Sequence, residues 1–504
     1  MTEPTAKLAN SLEVLKKLQD AGRVAIRSRD LTRTHRERLI KNGFISEVMK
    51  GWYVPSRPDG QQGESTAWYA SYWAFLKDYL AERYGEDWCL SPEQSLLLKA
   101  GDTTVPKQLL IRTPKGGNNT IKLPFDTSLI DTRQNRPGTD DRAEYNGLHV
   151  FSIDSGLIGA SPNFFKNHPN EARALLATLP DVSRLLAKLL DGGHTTVAGR
   201  LAGALRSIGR ARAADEIVKA MKAVDYDVRE DDPFDQPIKL GPGPRPGSPF
   251  VVKLGLMWQA MRNDIIDVFP DGRSIVDAKA YLGSIEEIYV TDAYHSLSIE
   301  GYRVSIELIE RVRSGDWNPD AIEGDREDRN ALAARGYYQA FQEVKKSVAR
   351  VLEGANAADE ADTAHSDWYR ELFASSVTAG LIKASDLAGY RGGQVYIRYS
   401  RYTPPPYEVV RDAMPALFNM LRGEEHPAVR VVLGHFVFVY IHPYIDGNGR
   451  VARFFMNLMM AAAGHPWTVI PIEQRADYMD ALEIASVEQD IKPFATFLAS
   501  LLSK

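Results

Sequence analysis

The chain has 504 residues, a length that corresponds to about three domains of ordinary size. Its 44% hydrophobic and 25% charged residues are typical of a globular protein, and a formal net charge of −5 excludes a general nucleic-acid coat but not a local basic patch. The single cysteine, Cys89, excludes an internal disulfide framework. Because the amino terminus lacks a signal-peptide pattern and no apolar run approaches about 18 residues, we expect a cytoplasmic protein without membrane spans.

Residues 1–60 predict a winged-helix domain, because helical patterns are followed by a hairpin pattern. Leucines at helical spacing from Leu8 to Leu18 predict the first helix, and Lys50–Gly51 predicts the turn between two strands. The predicted elements are helices over 6–21, from Ser28 and over 34–40, then strands over 44–48 and 52–54.

The same segment is locally basic, with eight basic residues against three acidic ones between Gly22 and Lys50. A basic helix with a basic wing tip suits phosphate contacts on duplex DNA. The candidate DNA-contacting residues are Arg33, Arg36, Arg38, Lys41 and Lys50. The alternative is a winged helix that binds protein. The segment resembles the amino-terminal domain of AbiEi-like antitoxins, and this resemblance implies DNA binding and transcriptional autoregulation.

Residues 61–228 predict a mixed α/β region that becomes wholly helical. Its first element, an aromatic-rich helix over 65–84, is more typical of a core than of a ligand site. The predicted strands are 107–112, 120–123 and 129–130, and the predicted helices are 171–177, 182–190, 197–208 and 214–224. The region is similar to the remainder of an AbiEi-like antitoxin and contains no catalytic constellation.

Residues 229–249 predict a linker, because an acidic cluster is followed by Gly-Pro-Gly-Pro-Arg-Pro-Gly, which cannot continue a helix. The remaining residues, 250–504, predict a domain that is almost wholly helical. The fold class expected for the whole chain is therefore mainly α.

The most informative stretch is Ile441-His-Pro-Tyr-Ile-Asp-Gly-Asn-Gly-Arg-Val-Ala-Arg453, which lies between two apolar runs and predicts a helix, a loop and a second helix. The predicted second helix begins at Gly447-Asn448-Gly449, and the free amides of a helix start form an anion site. Arg450 and Arg453 are three residues apart on one helical face, a spacing that suits a chain of phosphates.

Two further side chains of this stretch suit catalysis. Asp446 offers an oxygen ligand to Mg²⁺, which often bridges a carboxylate and substrate phosphates. His442 has an ordinary pKa of about 6.5 and suits a general base near neutral pH.

The stretch resembles the signature of the Fic (filamentation induced by cAMP) family, His-x-Phe-x-Asp/Glu-Gly-Asn-Gly-Arg-x-x-Arg, and departs from it only at Tyr444, where Phe is usual. The resemblance implies an all-helical domain that transfers AMP from ATP to a Tyr, Ser or Thr hydroxyl of a target protein, or of the chain itself. It assigns general-base catalysis to His442, phosphate binding to residues 447–450 and Arg453, and Mg²⁺ to Asp446.

A second match to this family is Ser296-x-x-x-Glu300-Gly301, the pattern of its inhibitory helix. The resemblance implies that Glu300 pairs with Arg453. A carboxylate on that guanidinium would compete with the γ-phosphate of ATP for the same donors. The chain therefore resembles the self-inhibited class whose inhibitory helix precedes the signature.

The segment from Gly392 to Tyr407 alternates in strand fashion and predicts a β-hairpin, with Val395, Tyr396 and Ile397 as candidate docking residues. It resembles the Fic flap, which binds a target segment by strand addition. The alternative is a plain surface hairpin. Downstream, Asn457 and Tyr478 are candidates for the nucleotide pocket, although Asn457 suits an interhelical contact equally well.

Three functional hypotheses follow from these patterns. The first is a self-inhibited protein adenylyltransferase that uses ATP and Mg²⁺. The second is a DNA-binding autorepressor that uses the Fic domain as a sensor. The third is removal of AMP from a modified protein, with Glu300 orienting the attacking water. The target and the oligomeric state, including a homo-oligomer, stay open.

Overall fold

The computed structural model describes residues 4–56, 58, 65–234, 248–273, 275, 277–316 and 329–502, and these are mainly helical, as predicted. The chain divides into two compact units. The first consists of Met1–Lys253 with Tyr396–Thr403, and the second of Leu254–Val395 with Pro404–Lys504. None of the described helices is both long enough and apolar enough to cross a membrane.

The amino-terminal segment contains the predicted helix and hairpin, but its middle helix is only one turn. Its elements are α1 (Pro4–Asp20), β1 (Ile26–Arg27), a 3-10 turn (Ser28–Asp30), α2 (Arg33–Lys41), β2 (Ile45–Met49) and β3 (Trp52–Pro55). The strands form an antiparallel sheet of order β1-β3-β2. The middle helix ends after one turn because Leu31 is extended, with φ −127° and ψ 140°, and Thr32 caps the start of α2.

The rest of the first unit builds two cores. The aromatic side chains of α3 (Thr66–Tyr84) lie in the first core, as expected, and β5 pairs parallel with β7 beside them. The strands are β4 (Cys89–Leu90), β5 (Gln108–Thr113), β6 (Thr120–Lys122), β7 (Ser128–Arg133), β8 (Arg142–Tyr145) and β9 (Leu148–Phe151). The helices are α4 (Pro92–Lys99), α5 (Ile153–Gly159), α6 (Pro162–Asn167), α7 (Pro169–Thr178), α8 (Ser183–Asp191), α9 (Thr195–Ser207) and α10 (Ala211–Ala223).

Packed structure continues into the start of the predicted linker 229–249. Phe234 is buried in the helical core with the guanidinium of Arg173 over its ring, and the Asp231 amide donates to the Gly199 carbonyl at 3.2 Å. Residues 229–234 are thus held by burial of the Phe234 ring against Phe165 of α6 and Arg173 of α7, and by the backbone contact with α9. A composition-based prediction does not detect this packing. The Pro/Gly-rich part, 235–247, lies outside the described residues.

The second unit contains helices and no strand among its described residues. Its helices are α11 (Pro249–Ile266), α12 (Ala278–Ile299), α13 (Ile306–Ser314), α14 (Arg329–Leu352), α15 (Ala357–Thr378), α16 (Tyr407–Gly423), α17 (Pro427–Ile441), α18 (Asn448–Ala462), α19 (Arg475–Val487) and α20 (Lys492–Leu502). The pair α17 and α18 is the predicted helix–loop–helix around the signature.

The predicted strands of the flap are wrong, because residues 391–406 form no strand. Side chains join the two arms instead: Gln394 donates to the Pro404 carbonyl at 2.8 Å, and Arg391 donates to the Pro405 carbonyl. The three consecutive prolines from Pro404 have no N–H group, so this arm cannot complete a strand ladder. The alternation of side chains in the sequence does not show that backbone N–H donors are missing at these prolines. Target docking by Val395, Tyr396 and Ile397 stays a prediction.

The packing of residues 229–234 predicts that Gly199→Ala destabilises the first unit. A Cβ at Gly199 would overlap the Arg229 carbonyl, so the segment would have to move. We expect a cost of about 1–3 kcal/mol and a melting temperature lower by roughly 2–10 °C, measured by calorimetry. Gly255→Ala in α11 is the control, because nothing lies within 4 Å of its added Cβ. Equal melting temperatures for both variants would show that the segment is not packed.

Candidate active site

The signature loop connects two buried helices and is closed by its own asparagine. Asn448 is buried at the first position of α18, where its side chain accepts from the Tyr444 amide at 2.9 Å and donates to the Tyr444 carbonyl at 2.8 Å. Gly447 has φ +79°, and a Cβ there would lie 2.8 Å from the Phe373 ring. Asn448 therefore shapes the loop, and Gly447 is required both by its backbone angle and by the aromatic ring beside it.

His442 ends α17 in the left-handed conformation, with φ 53° and ψ 62°. Its Nδ1 lies 3.2 Å from the Val439 carbonyl, so Nδ1 carries the proton and Nε2 is left as the acceptor. Desolvation lowers the pKa of His442 to about 4, so the ring is neutral at pH 7. These features are those required of a general base.

Arg391 holds the turn that contains His442, and the sequence did not identify it. Its Nε donates to the His442 carbonyl at 2.8 Å, and its amide donates to the Pro443 carbonyl at 2.9 Å. Arg391 directly precedes Gly392, where the predicted flap begins, and no local pattern links it to a loop about 50 residues downstream.

Arg453 is buried and is bound by the end of α12. Its Nη2 donates to Glu300 Oε1 at 2.7 Å and to the Ser296 carbonyl at 3.1 Å, and its Nε donates to Ser296 Oγ at 2.8 Å. The structure thus brings together the three residues that the two sequence patterns singled out. Gly301 follows with φ +87°, a conformation in which glycine ends the helix at low cost.

The Glu300 carboxylate lies against the start of α18 as well as against Arg453. A Cβ added to Gly449 would overlap Glu300 Oε1, so only glycine leaves room for the carboxylate there. Desolvation favours the protonated acid, but the positive charges of Arg453 and Arg450 outweigh it and hold the pKa of Glu300 below its usual value. Glu300 is therefore an anion at a helix start, where a phosphate would also bind.

Arg450 is buried between two aromatic rings. The guanidinium lies 4.9 Å from the centre of Phe373 and 5.3 Å from the centre of Tyr302, and 3.6 Å from Asp446 Oδ1. Its Nε has no hydrogen-bond partner among the described residues. Phe373 and Tyr302 position this cation by stacking. The sequence analysis identified neither residue, because both are far from Arg450 in the sequence.

Asp446 is the most accessible acidic group of the loop, with a side chain that is 61% exposed. Its Oδ1 accepts the Gly447 amide at 2.6 Å. The described residues contain no group of three or more potential metal ligands. A hard cation that takes one carboxylate and completes its shell with phosphates and water, as Mg²⁺ does, fits this arrangement.

The two downstream candidates have structural contacts. Asn457 exchanges hydrogen bonds with the Thr468 backbone at 2.7 and 3.1 Å, so it holds the non-helical segment that follows α18 and does not bridge two helices. Tyr478 is buried, and its hydroxyl lies 2.8 Å from Nε2 of the buried His435. Tyr444 is also buried and stacks on Tyr369, with ring centres 3.7 Å apart, as expected for the position usually occupied by Phe.

The basic residues near the amino terminus are partly used within the fold. Arg33 pairs with Glu37 at 2.7 Å, Arg36 donates to the Ser28 carbonyl, and Arg38 donates to the Lys7 carbonyl. Lys41 and Lys50 are exposed. DNA binding stays a prediction that now depends mainly on Arg33, Lys41 and Lys50.

Comparison with known proteins gives one matching family description, the Fic/DOC family, over residues 363–460. A protein adenylyltransferase Fic of Drosophila grimshawi is 29% identical over 223 residues, which are 44% of this chain and 42% of that protein. A protein adenylyltransferase fic-1 of Caenorhabditis elegans is 34% identical over 130 residues, which are 25% of this chain and 23% of that protein. The chain thus spans less than half the length of these curated relatives.

Among solved structures, Fic-1 from C. elegans is 18% identical, with a TM-score of 0.36, over 67% of this chain and 93% of that chain. A Fic family protein from Desulfovibrio desulfuricans G20 is 22% identical, with a TM-score of 0.35, over 53% of this chain and 73% of that chain. The signature geometry and the family match agree, and residues 363–460 form a domain of the Fic/DOC family.

Proposed function

We propose that this chain is a protein adenylyltransferase that is inhibited by its own Glu300. The observation that carries the proposal is the 2.7 Å contact between Glu300 and Arg453 within a complete signature loop. His442, the start of α18 and the two arginines form a site suited to a nucleoside triphosphate. The Glu300 carboxylate of the same chain occupies part of that site. The curated relatives described above bear the name of the same activity.

In the proposed reaction, Nε2 of His442 takes the proton of a target hydroxyl. The hydroxyl oxygen forms a bond to the α-phosphorus of ATP, the bond to the bridging oxygen of the β-phosphate breaks, and pyrophosphate leaves. The Gly449 and Arg450 amides at the start of α18 stabilise charge on the phosphates, and Arg450 and Arg453 bind the β- and γ-phosphates. Asp446 would hold Mg²⁺, which supplies charge neutralisation on the phosphates when bound.

Inhibition follows from competition for one guanidinium. Arg453 has a fork of donors suited to an anion, and Glu300 already accepts from Nη2. The terminal phosphate cannot approach Arg453 while the carboxylate is in place, because two anions would share one cation. The side chain of Glu300 is 25% exposed, so it can leave without unfolding the helix that carries it.

Replacement of Glu300 by glycine is expected to release the activity. Self-labelling with α-³²P-ATP and Mg²⁺ should rise at least about tenfold over the wild-type protein, the factor that corresponds to about 1.4 kcal/mol. Glu287→Gln is the matched control, because Glu287 is an exposed acid on the same helix. Equal labelling by wild type and Glu300→Gly would contradict inhibition by Glu300.

Removal of the base is expected to separate chemistry from binding. Glu300→Gly with His442→Ala should transfer no AMP above background, because the target hydroxyl keeps its proton. The same double variant should bind ATP within about twofold of Glu300→Gly by calorimetry, since His442 contacts no phosphate in the proposed pose. Normal transfer by the double variant would show that His442 is not the base.

The acid limb of the pH–rate profile is expected well below the ordinary histidine pKa. Because desolvation lowers the pKa of His442 to about 4, the neutral ring is the main form from pH 7 down to about pH 5. Loss of the Glu300 carboxylate removes a charge that raises this pKa, so the limb should not move upward in Glu300→Gly. The measurement is kcat/KM of Glu300→Gly from pH 4.5 to 8. A half-point near 6.5 would refute a desolvated His442.

A further inference from the structure

A second carboxylate of α12, that of Asp292, is buried four residues before Ser296 and takes no part in the chemistry described above. Asp292 is only 5% exposed. Burying an ionised carboxylate is costly unless a hydrogen-bond donor satisfies it. The donor is Tyr337 of α14, whose hydroxyl lies 2.7 Å from Asp292 Oδ2. Burial raises the pKa of Asp292 to about 6, so the carboxyl is mainly ionised at pH 7.5.

Tyr337 also connects Asp292 to the phosphate-binding arginine. Arg453 Nε donates to Ser296 Oγ at 2.8 Å, and because a guanidinium has no acceptor, the Ser296 hydroxyl proton points elsewhere. Ser296 lies one turn after Asp292 on the same face of α12, next to the Tyr337 hydroxyl that donates to Asp292. We infer that the Ser296 proton goes to the Tyr337 oxygen. The bonds run in one direction, from the cation through two hydroxyls to the anion, an arrangement in which each bond strengthens the next.

We propose that Asp292 and Tyr337 are positioning residues that hold the Arg453 guanidinium, through Ser296, in the orientation that receives the terminal phosphate, whether or not Glu300 is bound. The proposal rests on the adenylyltransferase function proposed above, because that function supplies ATP as the ligand of Arg453. It assigns Arg453 two counter-charges with different tasks. Glu300 contacts Arg453 directly and blocks the phosphate, whereas Asp292 acts at a distance and keeps the arginine in place.

The burial of α12 agrees with this division. Ser296 is 2% exposed, whereas the side chain of Glu300, one turn later at the end of the helix, is 25% exposed. Departure of Glu300 breaks one of the contacts between α12 and Arg453 and leaves both Ser296 contacts intact. Only the last turn of α12 has to move for activation, and the body of the helix stays as part of the nucleotide site.

The first test compares Tyr337→Phe with Tyr338→Phe, both in the Glu300→Gly protein. Tyr337→Phe removes the hydroxyl that links Ser296 to Asp292 and keeps the ring. Tyr338 is the adjacent tyrosine of the same helix and makes a ring contact with Tyr289. We expect Tyr337→Phe to weaken equilibrium ATP binding by about tenfold, the usual effect of a hydrogen bond that serves a charged group, while Tyr338→Phe binds as the parent does.

The second variant, Asp292→Asn, keeps an oxygen that accepts from Tyr337 but removes the charge, so it should also weaken ATP binding. In self-labelling, both variants should raise the half-saturating ATP concentration more than they lower the maximal rate, because His442 is untouched. A general loss of folding would instead reduce the maximal rate and leave the half-saturating concentration unchanged, and that result overturns the proposal. So does an ATP affinity equal to that of the parent.

ATP binding also separates this proposal from the proposed function. A Glu300→Gly protein that binds ATP but labels nothing contradicts adenylyl transfer, and the binding comparison still tests the positioning role. If that protein binds no nucleotide, the positioning role is tested by the hydrogen-exchange rate of the Arg453 Nε–H, measured by NMR. The signal is assigned by its loss in Arg453→Lys. The exchange should be faster in Tyr337→Phe than in Tyr338→Phe, and equal rates overturn the proposal.

Discussion

The buried guanidinium of Arg453 is the constraint on which the rest of the site depends. A cation removed from water requires compensating charge and hydrogen bonds, and here Glu300 and Ser296 supply them at 2.7–3.1 Å. A phosphate site needs the same cation exposed to substrate. In the proposed function, the resting protein meets both demands by keeping one removable anion on Arg453. Inhibition and phosphate binding would then be two occupancies of one place, rather than two separate devices.

The catalytic turn around this cation is fixed from several sides. Asn448 closes the loop, Arg391 holds the backbone of the turn, and Phe373 packs against both Gly447 and Arg450. Such contacts preorganise a base and a helix start before substrate arrives, which is how positioning and fixed dipoles lower a barrier. Of the two residues of α12 that contact Arg453, Glu300 is the more exposed, with a side chain that is 25% exposed, whereas Ser296 is 2% exposed. The proposed inhibition therefore places the movable contact at Glu300.

The sequence predicted those features that depend on short, regular spacing. The helix–loop–helix follows from the spacing of apolar residues around the signature. The pairing of Glu300 with Arg453, which are 153 residues apart, was implied by the family resemblance and not by spacing. Features that depend on distant packing were missed: Phe234 against Phe165 and Arg173 within a predicted linker, and the hydrogen bond from Tyr337 to Asp292. The predicted flap strands are absent for a local reason, because the consecutive prolines from Pro404 lack the N–H donors that a strand ladder needs.

The central claim is that Glu300 and the terminal phosphate of ATP exclude each other at Arg453. The most direct measurement is the ratio of ADP to ATP dissociation constants, by calorimetry with Mg²⁺, for the wild-type protein and for Glu300→Gly. In Glu300→Gly the terminal phosphate gains Arg453, so ATP should bind at least about tenfold more tightly than ADP. In the wild-type protein the two nucleotides should bind about equally, because Arg453 is occupied. The same preference for ATP in both proteins would contradict the account.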